Sequence, residues 1–212
     1  MADLTLPDYL RTGLDLVFVG INPGLSSARA GHYFHNPSNR FWPAVTRAGI
    51  FDPPLGAETD REALSQGVGF TDLVKRATPN LSALRVADYR IGAASLKERL
   101  TAAAPAIVCF NGITAYRNFL KYAQGADRRI KPGLQPERLV SATIFVAPSP
   151  SPANAAVSLD ELVCWYGQLA DLLRARGRRT GKTSIRPATP SYAKITPPAN
   201  RGHLGRFGYG YI

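Results

Sequence analysis

Apolar positions along the chain fall into two kinds of run. Leu14–Gly20 (LDLVFVG) is short, branched and nearly continuous, as a parallel strand buried on both faces requires. Pro105–Asn111 (PAIVCFN) and Thr143–Ala147 (TIFVA) have the same character, and Val68–Leu73 (VGFTDL) is a shorter, weaker fourth strand. Between these runs the apolar residues recur at helical spacing. Asn39–Gly49 carries Phe41, Trp42, Val45 and Ala48 at that spacing and stops at Gly49. Ser95–Ala103 and Ile113–Tyr122 give two more helices, and Leu159–Arg176 gives the last. Ser158 with Glu161 three residues on has the spacing of a capping box at the start of that last helix. Strands alternating with helices predict an α/β three-layer sandwich, with a central, mostly parallel four-stranded sheet flanked by helices. The pattern ends at Arg176. From Gly177 to Ile212 there is no apolar period and much Gly and Pro, so residues 1–176 read as one folded domain and 177–212 as a tail disordered in isolation.

Charge sharpens that division. The chain carries a net charge of +11. The tail holds seven Lys or Arg and no acid, which leaves a net charge of only +4 on the body. A basic tail on a mildly basic body points to a polyanionic partner, most often nucleic acid; a solvated tail that aids solubility is the alternative. The longest strongly apolar stretch, Leu14–Ile21, is too short to cross a bilayer and contains Asp15. With no leader segment recognisable, the expectation is a cytoplasmic protein without a membrane role. Cys109 and Cys164 are far apart and sit in apolar or helical runs, which suits buried, reduced thiols. Two cysteines exclude a four-cysteine iron–sulfur cluster, and His32, His35 and His203 show no metal-ligand spacing, so neither a metal nor another cofactor is expected.

Sites in open α/β sheets gather beyond the carboxyl ends of the strands. Three loops there have unusual content. Gly20-Ile-Asn-Pro-Gly24, followed by Leu25-Ser-Ser27, is a stiff turn that would hold Asn22 rigidly and expose backbone N–H groups to an anionic oxygen, or else a plain tight turn. Gly69-Phe-Thr-Asp72 ends a strand on an acid, either a working group or a capping residue. Pro148–Asn154 (PSPSPAN) sets three prolines among small residues, which suits a wedge or a ridge against phosphates as well as a rigid connector.

Leu16–Trp42 (LVFVGINPGLSSARAGHYFHNPSNRFW) resembles the first motif region of the mismatch-specific uracil-DNA and thymine-DNA glycosylases. The resemblance continues at Gly67–Thr78 (GVGFTDLVKRAT) and from the third strand through SPSPAN into Val157–Glu161, so that it covers roughly residues 10–176. It implies a uracil-DNA glycosylase-like fold and a monofunctional enzyme acting on DNA with uracil or a mismatched pyrimidine. By position, Asn22 matches the asparagine that places the attacking water. Gly20, Ile21 and the backbone around them match the wall that binds the base, Ser27 a serine lining the pocket, and Phe34 the aromatic that stacks on the flipped base. Ser149, Pro150, Ser151, Pro152, Ala153 and Asn154 match the loop that enters the DNA, with Ala153 and Asn154 the candidates to face the orphan base. Asp72 departs from the lysine or asparagine of familiar members, and the proline-rich loop lacks their Gly-Leu-Ser-Arg or Ser-Ala-Arg pattern.

An amide is not basic at neutral pH, so Asn22 could hold a water but not deprotonate it. Asp72 could supply the missing base or steady the sugar cation. These two carry the catalytic expectation. The alternatives are a non-catalytic damage-recognition module and, less consistent with a basic tail, a nucleoside hydrolase. The tail is expected to tether DNA non-specifically, which also implies association with the nucleoid. A monomer is the default expectation.

Overall fold

The computed structural model describes residues 4–180. Five strands form one sheet: β1 (Leu16–Gly20), β2 (Val68–Asp72), β3 (Ile107–Asn111), β4 (Gly133–Leu139) and β5 (Ala142–Ala147). Their spatial order is β2-β1-β3-β5-β4. The first four positions in that order run parallel, and β4 pairs antiparallel with β5 at the edge. The four expected strands are therefore all present, and the expected count of four is corrected to five. β4 reads GLQPERL and carries Pro136, which cannot donate to a ladder and argues against a strand in any sheet interior. Here it lies at an edge, its register shifts between Leu134 and Arg138, and Leu134 is 62% exposed, so neither periodicity nor composition gives it away.

Helices α1 (Leu25–Ala30), α2 (Phe41–Arg47), α3 (Val86–Ala103), α4 (Ile113–Gln124) and α5 (Leu159–Thr180) are joined by 3-10 turns at Ala57–Leu64 and Leu81–Ala83. Successive side chains of a strand point to opposite faces, and β1 divides its residues accordingly. Leu16 and Phe18 pack with Phe41, Val45, Leu162 and Tyr166 from α2 and α5. Val17 and Val19 pack with Leu96, Leu100, Tyr116 and Phe119 from α3 and α4. Helices thus cover both faces of the sheet in three layers. The first core is aromatic: the Phe18 ring meets Phe41 edge-on at 5.0 Å and stacks on Phe70 at 5.7 Å. Each such pair contributes about 0.5–1.5 kcal/mol beyond its area.

α3 begins nine residues before the expected Ser95, because its first turns present Val86 and Ile91 to solvent and show no apolar stripe. The Ser158–Glu161 capping box is formed, with Ser158 N–H donating to Glu161 Oε2 (2.7 Å) and Glu161 N–H to Ser158 Oγ (3.1 Å). α5 runs to Thr180, so the first four residues of the expected tail are helical, and the rest of that tail lies outside the described residues. Cys109 and Cys164 are both buried. Among the described residues no helix is long and apolar enough to cross a membrane.

Gly92 tests how closely α3 is seated. A Cβ there would lie 2.3 Å from the backbone oxygen of Leu73. Gly-to-Ala in a helix interior normally gains ~1 kcal/mol. Here the carbonyl cannot step aside without moving the segment that follows β2, and overpacking costs ~1–3 kcal/mol. Gly92→Ala is expected to lower the melting temperature by roughly 2–6 °C. A rise in thermal unfolding by circular dichroism would show that helix propensity wins.

Candidate active site

The carboxyl ends of β1, β2, β3 and β5 open into one cavity of about 370 Å3. Gly20, Ile21, Asn22, Ser27, Phe34 and Asp72 all line it, as do Ser149, Pro150, Ser151, Pro152 and Ala153. Residues spread over more than 130 positions of sequence are thus brought together. Asn154 is the exception among the expected residues. It does not line the cavity, and its Nδ2 donates back to Ser149 O at 2.9 Å within its own loop.

The turn after β1 is zipped onto the segment after β2. Leu73, Val74 and Thr78 donate their N–H groups to the carbonyls of Gly20 (2.9 Å), Ile21 (2.9 Å) and Pro23 (3.2 Å). Asn22 is fixed by the same segment: its Nδ2 donates to Thr78 Oγ1 (2.8 Å), Arg76 O (3.1 Å) and Pro23 O (3.2 Å). Two of these partners are carbonyls, which only accept, so the nitrogen end of the amide must face them. The side-chain oxygen is then the end left for a water. Thr78 in turn donates to Asn80 O at 2.8 Å, which ties the rim at Asn80 and Leu81 to Asn22.

Asp72 lies directly across from Gly20 in the parallel pairing. It is 3% exposed, and its Oδ2 is buried without a hydrogen-bond partner. Burial pushes its pKa up to about 7; the positive charges of Lys75 and Arg99 pull it down, and the negative charge of Asp8 adds to the rise. A Cβ at Gly20 would lie 2.3 Å from Asp72 Oδ1, so glycine is the residue that leaves room for this carboxyl. Behind it Asp8 accepts from Thr71 Oγ1 (2.6 Å), Lys75 Nζ (2.7 Å) and Arg99 Nη1 (3.0 Å). Burial works to raise the Asp8 pKa, but the hydrogen bonds from Lys75 and Thr71 and the cations beside it outweigh burial and hold it below its ordinary value. One acid is therefore fully paired and ionised, while its neighbour faces the cavity poised near neutrality.

Phe34 is held in an unusual conformation, with φ of 54°. The restraint comes from Asp60, which is fully buried. Its Oδ2 accepts from Tyr33 N–H (2.7 Å), and its Oδ1 is 3.0 Å from His32 Nδ1. Ser27 Oγ accepts the N–H of His35 at 3.2 Å on the far side of Phe34. Gripped on both sides, Phe34 stacks one ring face on Phe41, with centroids 4.0 Å apart and planes 20° from parallel. The rest of the ring borders the cavity.

Sequence patterns did not single out three residues that matter here. Asn111, the last residue of β3, lines the cavity and is 5% exposed; its Nδ2 is buried without a partner. It lay at the end of a recognised strand, and position was its only signal. Asp60 had no signal of its own, since its partners are backbone and loop. Arg40 lies near the end of the Leu16–Trp42 motif region, but what it does is visible only in three dimensions. Its guanidinium donates to Ser151 O (2.9 Å), Asn154 O (2.8 Å), Pro150 O (3.4 Å) and Val157 O, and its own N–H also reaches Pro150 O (3.1 Å). A single side chain grips four carbonyls of the loop that roofs the cavity.

The arrangement can receive a flat, polar group of modest size against Phe34, hold a water at Asn22, and take up a proton at Asp72. Among the described residues no group of three His, Cys, Asp or Glu is placed to hold a metal ion. The family model described as the uracil DNA glycosylase superfamily matches residues 7–168. A solution NMR structure of a "putative Uracil DNA glycosylase" from Methanosarcina acetivorans is similar at a TM-score of 0.48 and 22% identity, over 80% of this chain and 99% of that one.

Arg40→Lys keeps the charge but loses the planar fork that reaches several carbonyls at once. The loop, not the core, should loosen. Amide hydrogen exchange at Ala153 and Asn154 is expected to speed up by about tenfold or more, in line with ~1–3 kcal/mol for charged hydrogen bonds lost. Exchange that stays slow at those amides would show that the prolines alone set the path of the loop.

Proposed function

The chain belongs to the uracil DNA glycosylase superfamily, whose members are DNA glycosylases; from that we propose that it excises uracil, and thymine or other damaged pyrimidines opposite guanine, by flipping the base out of DNA and hydrolysing its bond to the sugar. The observation that carries this reading is the convergence of Asn22, Asp72 and Phe34 on one cavity at the sheet's carboxyl edge.

A base within a duplex is out of reach, and extruding it costs a few kcal/mol, least at a mismatch. Stacking on Phe34 would return ~1–3 kcal/mol of that. The C1′–N bond then breaks with both electrons leaving on the base. Water held by the Asn22 side-chain oxygen adds to C1′, and Asp72 takes its proton. The carboxylate also lies where the sugar turns cationic, so it lowers the barrier by charge as well. Ser149 and Ser151 accept N–H groups from Ser151 and Ala153, which leaves both hydroxyl hydrogens for phosphate oxygens. The loop from Ser149 to Asn154 then lies against the DNA, with Ala153 at the cavity and Asn154 bracing it from behind.

A gel assay for abasic sites on uracil-containing duplex tests the reading directly. Tight binding without abasic sites would favour a damage-recognition module, and cleavage of free deoxyuridine alone a nucleoside hydrolase.

Two substitutions separate chemistry from fold. Asn22→Ala is expected to lose most excision while melting near wild type. For Asp72, single-turnover excision should rise with pH and level off above about 7, as the carboxyl loses its proton. Asp72→Asn should flatten that profile and slow the plateau by ~10²–10⁴-fold, the usual contribution of a positioned base. Stability should move the other way. A carboxyl whose folded pKa is raised from 3.8 to about 7 is neutral and tolerated below 3.8; its burial weighs fully against folding above about 7. Asp72→Asn should therefore melt at or above the wild-type temperature at pH 8, with the advantage fading toward pH 4. Unchanged excision with reduced stability would make Asp72 a structural residue.

A further inference from the structure

Asn111 holds one end of its amide in a buried contact and leaves the other without a partner. Its Oδ1 accepts from the Tyr166 hydroxyl at 3.0 Å, with Cys109 Sγ 4.0 Å away on the same atom. Its Nδ2 makes no hydrogen bond among the described residues, although the residue lines the cavity. Tyr166 comes from α5, across the sheet face from the strand that carries Asn111. It is fully buried, and the Phe18 and Phe41 rings meet it edge-on at 6.1 and 5.8 Å, so the phenol cannot turn elsewhere. Burial also keeps that phenol protonated, and with it the donated hydrogen.

Two orientations of the Asn111 amide are conceivable. With Oδ1 toward Tyr166, the phenol hydrogen is satisfied and an N–H2 group is left at the cavity. With the amide turned over, the phenol oxygen could accept from Nδ2, but the phenol hydrogen would be buried without an acceptor. A second unmet buried group makes that orientation the costlier one. We infer that Tyr166 is a specificity-determining positioning residue: it fixes Asn111 so that the cavity floor presents a donor, admitting a base with a carbonyl oxygen there and turning away one with an amino group. The inference rests on the glycosylase reading above. Uracil and thymine carry a carbonyl where cytosine carries an amino group, and cytosine is the base such an enzyme must leave alone. A site built to hydrogen-bond one group rejects its opposite strongly, because two donors face each other unpaired.

The test is Tyr166→Phe, which keeps the ring and its packing and removes only the hydroxyl. The amide is then free to turn over. Single-turnover excision is measured on oligonucleotides identical except for uracil or cytosine at the scored position. The expected result is a uracil-over-cytosine preference reduced by roughly 10–100-fold. The same substitution in an Asn111→Ala background should leave the preference of that background unchanged, because the hydroxyl acts only through the amide. Equal slowing on both bases, or an equal shift of preference without Asn111, would overturn the inference and leave Tyr166 as packing. If the wild-type protein releases no uracil at all, the glycosylase reading fails instead. Free uracil and free cytosine titrated against the Asn111 side-chain amide signal in NMR then read the same preference without cleavage: a uracil preference lost in Tyr166→Phe supports the inference, and no difference between the variants overturns it.

Discussion

The parallel register of β1 against β2 sets Gly20 beside Asp72, and the missing side chain at Gly20 leaves a carboxyl room at the sheet's edge. The rest of the site follows from the same pairing. Carried past the strand ends, it becomes the three backbone hydrogen bonds that seat the turn holding Asn22 on the segment 73–78. That segment then supplies the acceptors that orient the Asn22 amide. Asn22 and Asp72, which line the same cavity, are thus held by one continuous piece of β-ladder and its extension. Their separation is set by backbone geometry and owes little to side-chain packing.

Much of this was legible in the sequence. A parallel strand buried on both faces must be nearly continuous in apolar residues, and β1, β3 and β5 could be nothing else. Strand ends mark where sites form, so Asn22 and Asp72 could be named from position together with residue type. The places where reading failed share a cause. β4 is stabilised by pairing at an edge, against the preferences of its own residues. The first turns of α3 are exposed and carry no period. Asn111, Asp60 and Arg40 act through partners that lie 27 to 117 residues away in sequence. Local pattern reports what a residue prefers, and these residues are defined by what they meet.

Two polar atoms at the cavity, Asp72 Oδ2 and Asn111 Nδ2, are buried without partners. Such atoms usually destabilise a protein by ~1–3 kcal/mol each. Asp8, behind Asp72, by contrast has both carboxylate oxygens hydrogen-bonded. Sites that act on a ligand keep such groups ready-oriented, so that little reorganisation is needed when the ligand arrives.

The grip of Arg40 on the roof loop is made wholly to carbonyl oxygens. Every residue type offers a carbonyl, so the clamp is indifferent to which side chains the loop carries. Serines, prolines and the alanine between them could be exchanged over generations while the ribbon kept its course above the cavity. The chain thereby separates the trajectory of its roof loop from the identity of that loop's residues. One arginine, far away in sequence, leaves the tip open to evolutionary experiment at small risk to the pocket beneath it.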